Sequence, residues 1–163
     1  MRSQYLGFEQ ISRLFCYMQR PNVLACKISM QTGLRIGDCL AIEKAKLKER
    51  ITVVEEKTGY HKRVYIGKKL LRELLRFSKN NKSKFLFPHR FDKTKHRTRQ
   101  AVFLDIKKSA ALLGLSEHIS PHTFRKYFAV RFYGRVGSLE KTQKRLGHKK
   151  LETTLLYALS DKI

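Results

Sequence analysis

The chain has 163 residues, enough for one domain that buries about 70% of the surface its unfolded form would expose. It carries 36 Lys and Arg residues against 13 Asp and Glu residues, which gives a formal net charge of +23. An excess of this size excludes a merely solubilising basic surface and favours a polyanionic partner, with nucleic acid as the first candidate. A membrane-surface role is disfavoured, because no segment separates a clean basic face from an apolar face.

The cysteines and the hydropathy pattern bear on where the protein acts. Cys16, Cys26 and Cys39 are odd in number, lie within apolar helical patterns and lack C-x-x-C spacing. We therefore expect three reduced core residues of a cytosolic protein. No signal-peptide pattern opens the chain and no apolar run reaches membrane-spanning length, so we expect a cytoplasmic protein without a membrane partner.

The first third of the chain is predicted to be helical. Residues 8–19 place apolar side chains at helical spacing, which indicates an amphipathic helix that ends before Pro21, and residues 22–32 continue as a second helix. Gly33 then ends that helix, and a short new helix begins near Arg35. An arginine beside a helix start suits an anion. It could equally satisfy a carboxylate of its own helix such as that of Asp38, and spacing does not decide between the two.

The pattern changes to period two between residues 46 and 66. This predicts two strands joined by a glycine-containing turn, or a three-stranded meander if residues 46–49 also pair. Lys57 lies at the shoulder of the hairpin, where most lysines are simply solvated. Glu55 and Glu56 are adjacent on a strand and should point to opposite faces, so they form a poor metal-binding pair.

The rest of the chain alternates helices and loops. Helices are predicted over 68–79 and 100–113, and from residues 121, 138 and 152. Residues 85–88 form a short strand or an anchored loop, and the highly charged residues 89–99 form either a mobile DNA-facing loop or a solvated surface loop. We predict one mainly helical α+β domain over residues 1–163, with a small antiparallel hairpin or three-stranded sheet.

The segment 120–157 concentrates the residues with chemical potential. A Ser-Pro pair at 120–121 favours a helix start, and His122 and Arg125, three residues apart, fall on one face of that helix. His148 follows a glycine, and Tyr157 lies nine residues further on. Taken singly, each of these residues is more often structural than functional, and Tyr157 beside two leucines would ordinarily pack. Together, a hydroxyl, two imidazoles and an arginine indicate phosphoryl chemistry.

This chemistry is expected to proceed without a metal or cofactor. The few acids form no convincing cluster for Mg²⁺, and the histidines and cysteines are too scattered for zinc. Metal-free phosphoryl transfer needs fixed cations, a proton donor for the leaving oxygen and a covalent nucleophile. The chain offers all three.

The motifs T-G-L-R, E-K-T-G, H-T-F-R and L-G-H occur in this order, followed by a tyrosine. They contain Arg35, Lys57, His122, Arg125, His148 and Tyr157. The ordered set resembles the catalytic domain of tyrosine recombinases, the phage-integrase family, and the resemblance spans the chain from about residue 8 to Tyr157. Six independent coincidences would be needed to produce it by chance.

The resemblance implies that Tyr157 attacks a DNA phosphate, forms a 3′-phosphotyrosyl link and releases a 5′-hydroxyl. Because the bond energy is stored in that link, the strand can be rejoined to a new partner without ATP. Arg35 and Arg125 would hold the non-bridging oxygens. His148 would donate a further hydrogen bond.

The resemblance also assigns the proton transfers. Lys57, carried by the hairpin, would protonate the departing 5′ oxygen, and His122 would act as general acid or base near the nucleophile. Asp38 resembles the acid that steadies the first arginine, although glutamate is more usual there. Lys126 stands where the family frequently has histidine.

The partner implied by the resemblance is double-stranded DNA, held by four subunits on two duplexes. Relatives usually carry an amino-terminal DNA-binding domain and a longer carboxy-terminal segment, whereas only six residues follow Tyr157 here. We expect either a separate catalytic unit or a small stand-alone member, monomeric in solution.

Three alternatives to a recombinase remain open. A type IB topoisomerase-like enzyme uses a similar constellation to nick and close DNA without partner exchange. A degenerate DNA-binding regulator keeps the fold without turnover. A basic RNA- or ribosome-associated protein fits the composition equally well, but it predicts that the six residues are scattered in space.

Overall fold

The computed structural model of the protein describes residues 4–115 and 118–147. The described chain forms seven α-helices, one short 3₁₀ helix and one pair of strands. Their order is α1 (Phe8–Tyr17), α2 (Arg20–Thr32), α3 (Ile36–Leu40), the 3₁₀ helix (Lys44–Lys46), β1 (Arg50–Val54), β2 (His61–Tyr65), α4 (Lys68–Ser78), α5 (Arg99–Leu112), α6 (Pro121–Val136) and α7 (Leu139–Leu146). The predicted mainly helical α+β class with a small antiparallel hairpin is confirmed.

Helix α2 lies at the centre of the fold and packs against α3, α4 and α6. Its apolar side chains Leu24, Ala25 and Ile28 are fully buried, and Phe124 of α6 is buried in the same core. Its sequence mixes apolar and polar residues, and several of the polar ones are buried too, so the helix is enclosed by neighbouring elements on more than one side. The elements that pack on α2 are therefore placed relative to one another by this helix.

The junction between α2 and α3 depends on Gly33. This residue caps α2 in the left-handed region, with φ of 69°, and its N–H donates to the carbonyl of Ser29 at 2.9 Å. A Cβ atom at this position would lie 2.5 Å from the ring of Phe128. Only glycine fits both constraints. The sharp turn places Arg35 at the start of α3, as the N-cap residue.

The two strands pair antiparallel, with Arg50 opposite Tyr65 and Val54 opposite His61. Residues 44–46 form the 3₁₀ helix, and the sheet in the described part of the chain has two strands. The hairpin is therefore formed without the third strand of the meander alternative. Ile51 and Val64, opposite each other, are buried against the helices, so one face of the hairpin packs on the core.

The segment between α4 and α5 is an anchored loop. Leu86 and Phe87 are fully buried, and isolated bridges join Glu43 to Phe85 and Pro88 to His96. The following basic loop is held at its base by the second bridge, and Phe91 at its tip is 82% exposed. The DNA-facing role of this loop stays a prediction.

The cysteines are divided between core and surface. All three thiols are free; Cys26 and Cys39 are fully buried, whereas Cys16 is exposed. The prediction that all three are core residues was wrong for Cys16, because the buried face of α1 is formed by Ile11 and Leu14. Among the helices that the structure describes, none combines the length and apolarity needed to cross a bilayer.

Candidate active site

Arg35 projects from the start of α3 toward the hairpin. Its Nη1 donates to Oε2 of Glu55 at 2.8 Å, and its side chain remains 25% exposed. The carboxylate that it meets therefore belongs to the hairpin and not to its own helix. Asp38 instead accepts the backbone N–H of Glu56 at 3.0 Å. Arg35 is thus held on one side by an acid and retains an exposed portion that can meet a ligand.

Glu55 is the acidic centre of this region and is 2% exposed. Its Oε2 also accepts from the hydroxyl of Thr58 at 3.0 Å, and its Oε1 lies 3.7 Å from Nζ of Lys62. Burial raises the pKa of Glu55, but hydrogen bonds from Arg35 and Thr58 and the charges of Arg35 and Lys62 outweigh this and hold the pKa below its usual value. Glu55 is therefore an anion at neutral pH.

Lys57 lies in the hairpin turn that Glu55 closes. The carbonyl of Glu55 accepts from the N–H of Gly59 at 2.8 Å, and the N–H of Glu55 donates to the carbonyl of Tyr60 at 3.0 Å. Gly59 adopts φ of 65°, which the tight reversal requires. The Lys57 side chain is exposed, and its charge acts on His122. The turn thus carries an exposed cation toward the start of α6.

His122 lies in the first turn of α6. The helix start is fixed by Ser120, whose hydroxyl accepts the N–H of His122 at 3.3 Å. Partial desolvation, followed by the charges of Arg125, Arg35 and Lys57, lowers the pKa of His122 below 6.5. The imidazole is therefore predominantly neutral at pH 7 and can accept a proton.

Arg125 is 2% exposed, and its Nη2 donates to the carbonyl of Leu146 at 2.5 Å. This bond attaches α6 to the last turn of α7, where Gly147 caps the helix in the left-handed region. A Cβ atom at Gly147 would lie 3.7 Å from Oε2 of Glu55. The end of α7 is therefore adjacent both to Arg125 and to the acid that holds Arg35.

Lys62 is a further cation at this place, and the motif analysis did not select it. It is 6% exposed, and desolvation, followed by the charge of Arg125, lowers its pKa to about 8 despite the opposing effect of Glu55. Neither Lys62 Nζ nor Glu55 Oε1 has a hydrogen-bond partner within the described residues. The two side chains form a buried ion pair, and their 3.7 Å separation is longer than the 2.8 Å between Arg35 and Glu55.

Strand alternation contained a signal for both residues. Ile51, Val53 and Glu55 alternate along one face of the first strand and its extension, and Lys62 and Val64 do the same on the second. Because the apolar residues of each strand point into the core, Glu55 and Lys62, which lie on the same face, point into it as well. A composition so rich in lysine obscures this signal, since most lysines on a hairpin are solvated.

The structure brings four of the six sequence-predicted residues into one electrostatic neighbourhood. The charges of Arg35, Lys57 and Arg125 all act on His122, and those of both arginines act on Asp38. For these four residues, the structure differs from the scattering that the RNA- or ribosome-associated alternative predicts. His148 and Tyr157 lie outside the described residues. Within 4–115 and 118–147, His, Cys, Asp and Glu side chains form no group of three or more that could hold a metal.

Comparisons with known proteins agree with this geometry. The model of the phage integrase family matches residues 4–162. The integrase of Escherichia phage P2 is 28% identical over 155 residues, which cover 94% of this chain and 42% of that protein. The tyrosine recombinase XerD of Vibrio vulnificus strain YJ016 is 29% identical over 137 residues, or 77% of this chain and 44% of the relative.

A solved structure has the same fold. The crystal structure of a lambda integrase dimer bound to a COC′ core site superposes with a TM-score of 0.77 at 17% identity, over 97% of this chain and 48% of that one. The chain thus spans less than half the length of the two curated relatives, at 42% and 44%. Since the family model extends over nearly all of its residues, the chain belongs to the phage integrase family.

Proposed function

We propose that this chain is the catalytic domain of a site-specific DNA recombinase that cuts and rejoins strands through a 3′-phosphotyrosyl intermediate on Tyr157. The observation that carries the proposal is the grouping of Arg35, Lys57, His122 and Arg125 at the meeting point of α3, the hairpin and α6. The names of the matched relatives, an integrase and a tyrosine recombinase, support the same reaction class.

In the proposed cleavage step, the hydroxyl oxygen of Tyr157 forms a bond to phosphorus while the bond from phosphorus to the 5′ oxygen breaks. The neutral imidazole of His122 accepts the tyrosine proton, and Lys57 donates a proton to the departing oxygen. Arg35 and Arg125 offset the negative charge on the phosphorane, with a further hydrogen bond from His148. Rejoining reverses each transfer.

The proposed partner is double-stranded DNA, and the proposed assembly is four subunits on two duplexes. The net charge of +23 supports a partner that is a dense polyanion. The lambda integrase structure, a dimer bound to a COC′ core site, supports a duplex as that partner. We propose the cytoplasm as the place of action and a reaction without metal or cofactor.

Trapping the covalent intermediate tests this function. The probe is a duplex pool with one 5′-bridging phosphorothiolate flanked by randomised sequence, because the thiolate released by cleavage rejoins poorly. After denaturation in SDS, covalently held DNA is recovered, amplified and reselected until a defined duplex emerges. We expect an adduct with the wild-type chain and none with Tyr157→Phe. A chain that binds the pool but yields no adduct after enrichment would contradict the proposal and identify a DNA-binding regulator.

The selected duplex also separates the two enzymatic alternatives. Two differently labelled copies are incubated with the chain, and joined products carrying both labels are measured beside relaxation of a supercoiled plasmid that carries the site. Joined products are expected for a recombinase. Relaxation with no joined product would assign the chain to the nicking-closing class.

A further inference from the structure

Glu55 occupies the joint between the two elements that carry Arg35 and Lys57. Its carboxylate binds Arg35 at 2.8 Å, while its backbone closes the turn that carries Lys57 through bonds with Gly59 and Tyr60. One residue therefore contacts the first arginine with its side chain and the lysine turn with its main chain. Its 2% exposure excludes direct contact with a duplex in this arrangement.

A second tie runs in the opposite direction across the same joint. Asp38 of α3 accepts the N–H of Glu56 at 3.0 Å. An acid on the hairpin thus holds an arginine at the helix start, and an acid on the helix holds the hairpin backbone. Two crossed contacts define both the separation and the relative rotation of the two elements, which a single contact would leave free.

We propose that Glu55 is a positioning residue of the strand-transfer reaction, fixing the orientation of Arg35 and the place of the Lys57 turn relative to it. This inference rests on the proposed function. Arg35 has five N–H donors in a planar fork, so one can remain on Glu55 while others face a phosphate. Because Glu55 acts through these two residues, it affects the rate of cleavage more than the binding of DNA.

Lys62 completes the arrangement from the other side. Its Nζ lies 3.7 Å from Oε1 of Glu55, so the acid stands between a partly exposed arginine and a buried lysine. Removing the charge of Glu55 alone would leave Lys62 as an uncompensated buried cation, which destabilises a fold strongly. A test of positioning must therefore remove both charges, leaving the buried pair neutral and close in shape.

The experiment compares Glu55→Gln/Lys62→Met with three other variants on a nicked form of the selected duplex that keeps the 5′-bridging oxygen, because a thiolate would leave without the proton that Lys57 donates. The short fragment released by cleavage dissociates from this substrate, so the adduct accumulates. Glu55→Gln reports the loss of positioning together with the destabilisation by the unpaired Lys62. Lys62→Met keeps the contact of Glu55 with Arg35. Glu56→Gln is the matched control. Glu56 is the adjacent, exposed acid whose side chain makes no ion pair within the described chain. Melting temperature, equilibrium binding of the duplex and the single-turnover rate of adduct formation are measured for each.

We expect the double variant to fold and to bind the duplex within about threefold of wild type, with an adduct rate that falls about 10- to 100-fold. Glu56→Gln should keep the rate within about threefold, and Lys62→Met, which retains the contact of Glu55 with Arg35, should react faster than the double variant. A folded double variant with the wild-type rate would overturn the proposal. So would an equal loss in Glu56→Gln, which would indicate a general effect of charge.

A measurement without DNA separates this inference from the proposed function. Hydrogen exchange of the Thr58 and Gly59 amides reports how firmly the turn is held. Exchange should be faster in the double variant than in Glu56→Gln, whether or not the chain cleaves DNA. Unchanged exchange would overturn the positioning of the turn, whereas absence of any wild-type adduct would contradict only the proposed reaction.

Discussion

At the scale of single residues, the site combines cations that differ in burial. Arg35 and Lys57 face outward, whereas Arg125 and Lys62 are 2% and 6% exposed. The outer pair can meet a phosphate directly, while the inner pair raises the positive potential at that place. The charges of Arg125, Arg35 and Lys57 all act on His122, so the pKa of its imidazole reports whether these cations stay close to it.

The first prediction concerns His122. Desolvation and the charges of Arg125, Arg35 and Lys57 should give a pKa below 6.5 when the imidazole is titrated by NMR. Lys57→Met should raise this pKa, because one of the repelling charges is removed. Lys82→Met, which changes an exposed lysine outside the site, serves as the control. A His122 pKa that ignores Lys57→Met would show that the turn lies apart from α6.

The second prediction concerns Lys62, whose pKa falls from 10.5 to about 8 on folding. Between these values the unfolded chain binds a proton that the folded chain has lost, so raising the pH stabilises the fold by up to about 3 kcal/mol. The charges facing Lys62 are those of Glu55, Arg125, Arg145 and Arg35. The stability of wild type relative to Lys62→Met should rise from pH 8 to pH 10.5 in denaturant titrations. A constant difference would contradict the buried position.

The sequence identified Arg35, Lys57, His122 and Arg125 because the motifs that contain them occur in the order typical of tyrosine recombinases. Glu55 entered the sequence analysis only as half of a metal-binding pair with Glu56, which is disfavoured because adjacent strand residues point to opposite faces. Its proposed role depends on a contact with Arg35, which lies 20 residues away in the sequence. Hydrophobic periodicity describes only neighbouring residues and does not predict such a contact. Alternation could place Glu55 inward but could not name its partner.

At the scale of elements, the site depends on the starts of α3 and α6, the hairpin turn and the end of α7. Within the described residues the helix predictions agree with the structure to within a few residues, because glycine and proline mark most of the boundaries. The helix predicted from residue 152 lies outside the described residues. The possible third strand was not formed, since residues 44–46 wind into a 3₁₀ turn. The secondary structure of such short segments depends on tertiary packing, which the local sequence pattern does not predict.

The third prediction tests the α2–α3 junction. Gly33→Ala meets both a positive φ and the Phe128 ring at 2.5 Å, so it should destabilise the fold by about 2–5 kcal/mol. Gly137→Ala is the matched control, because its φ is also positive, at 64°, and nothing lies within 4 Å of the added Cβ. It should cost only about 1–2 kcal/mol. If urea denaturation gave the same loss of unfolding free energy for both variants, the contact with Phe128 would not contribute to the need for glycine at position 33.

At the scale of the whole molecule, charge governs the proposed association with DNA. A net charge of +23 on 163 residues gives a binding energy that rests largely on counterion release. Composition alone predicted this property, since it needs no three-dimensional information. Composition does not show which cations are grouped, because the basic residues are distributed over the chain; the structure brings the charges of Arg35, Lys57 and Arg125 to act on His122.

The fourth prediction follows from that charge. The dissociation constant for a random duplex, measured by fluorescence anisotropy, should rise about 20- to 50-fold between about 100 and 300 mM salt if about three or four phosphates are contacted. The logarithm of affinity should fall linearly with the logarithm of salt concentration. Affinity that is independent of salt would contradict an interface built on phosphate contacts.

The most direct test of the account is the chemical identity of the trapped adduct. The SDS-stable complex is digested with nuclease and protease, and the modified peptide is sequenced by mass spectrometry. The account predicts a nucleotide joined through its 3′ phosphate to the oxygen of Tyr157. A nucleotide attached to any other residue, or a Tyr157 peptide that stays unmodified while DNA is cleaved, would contradict it.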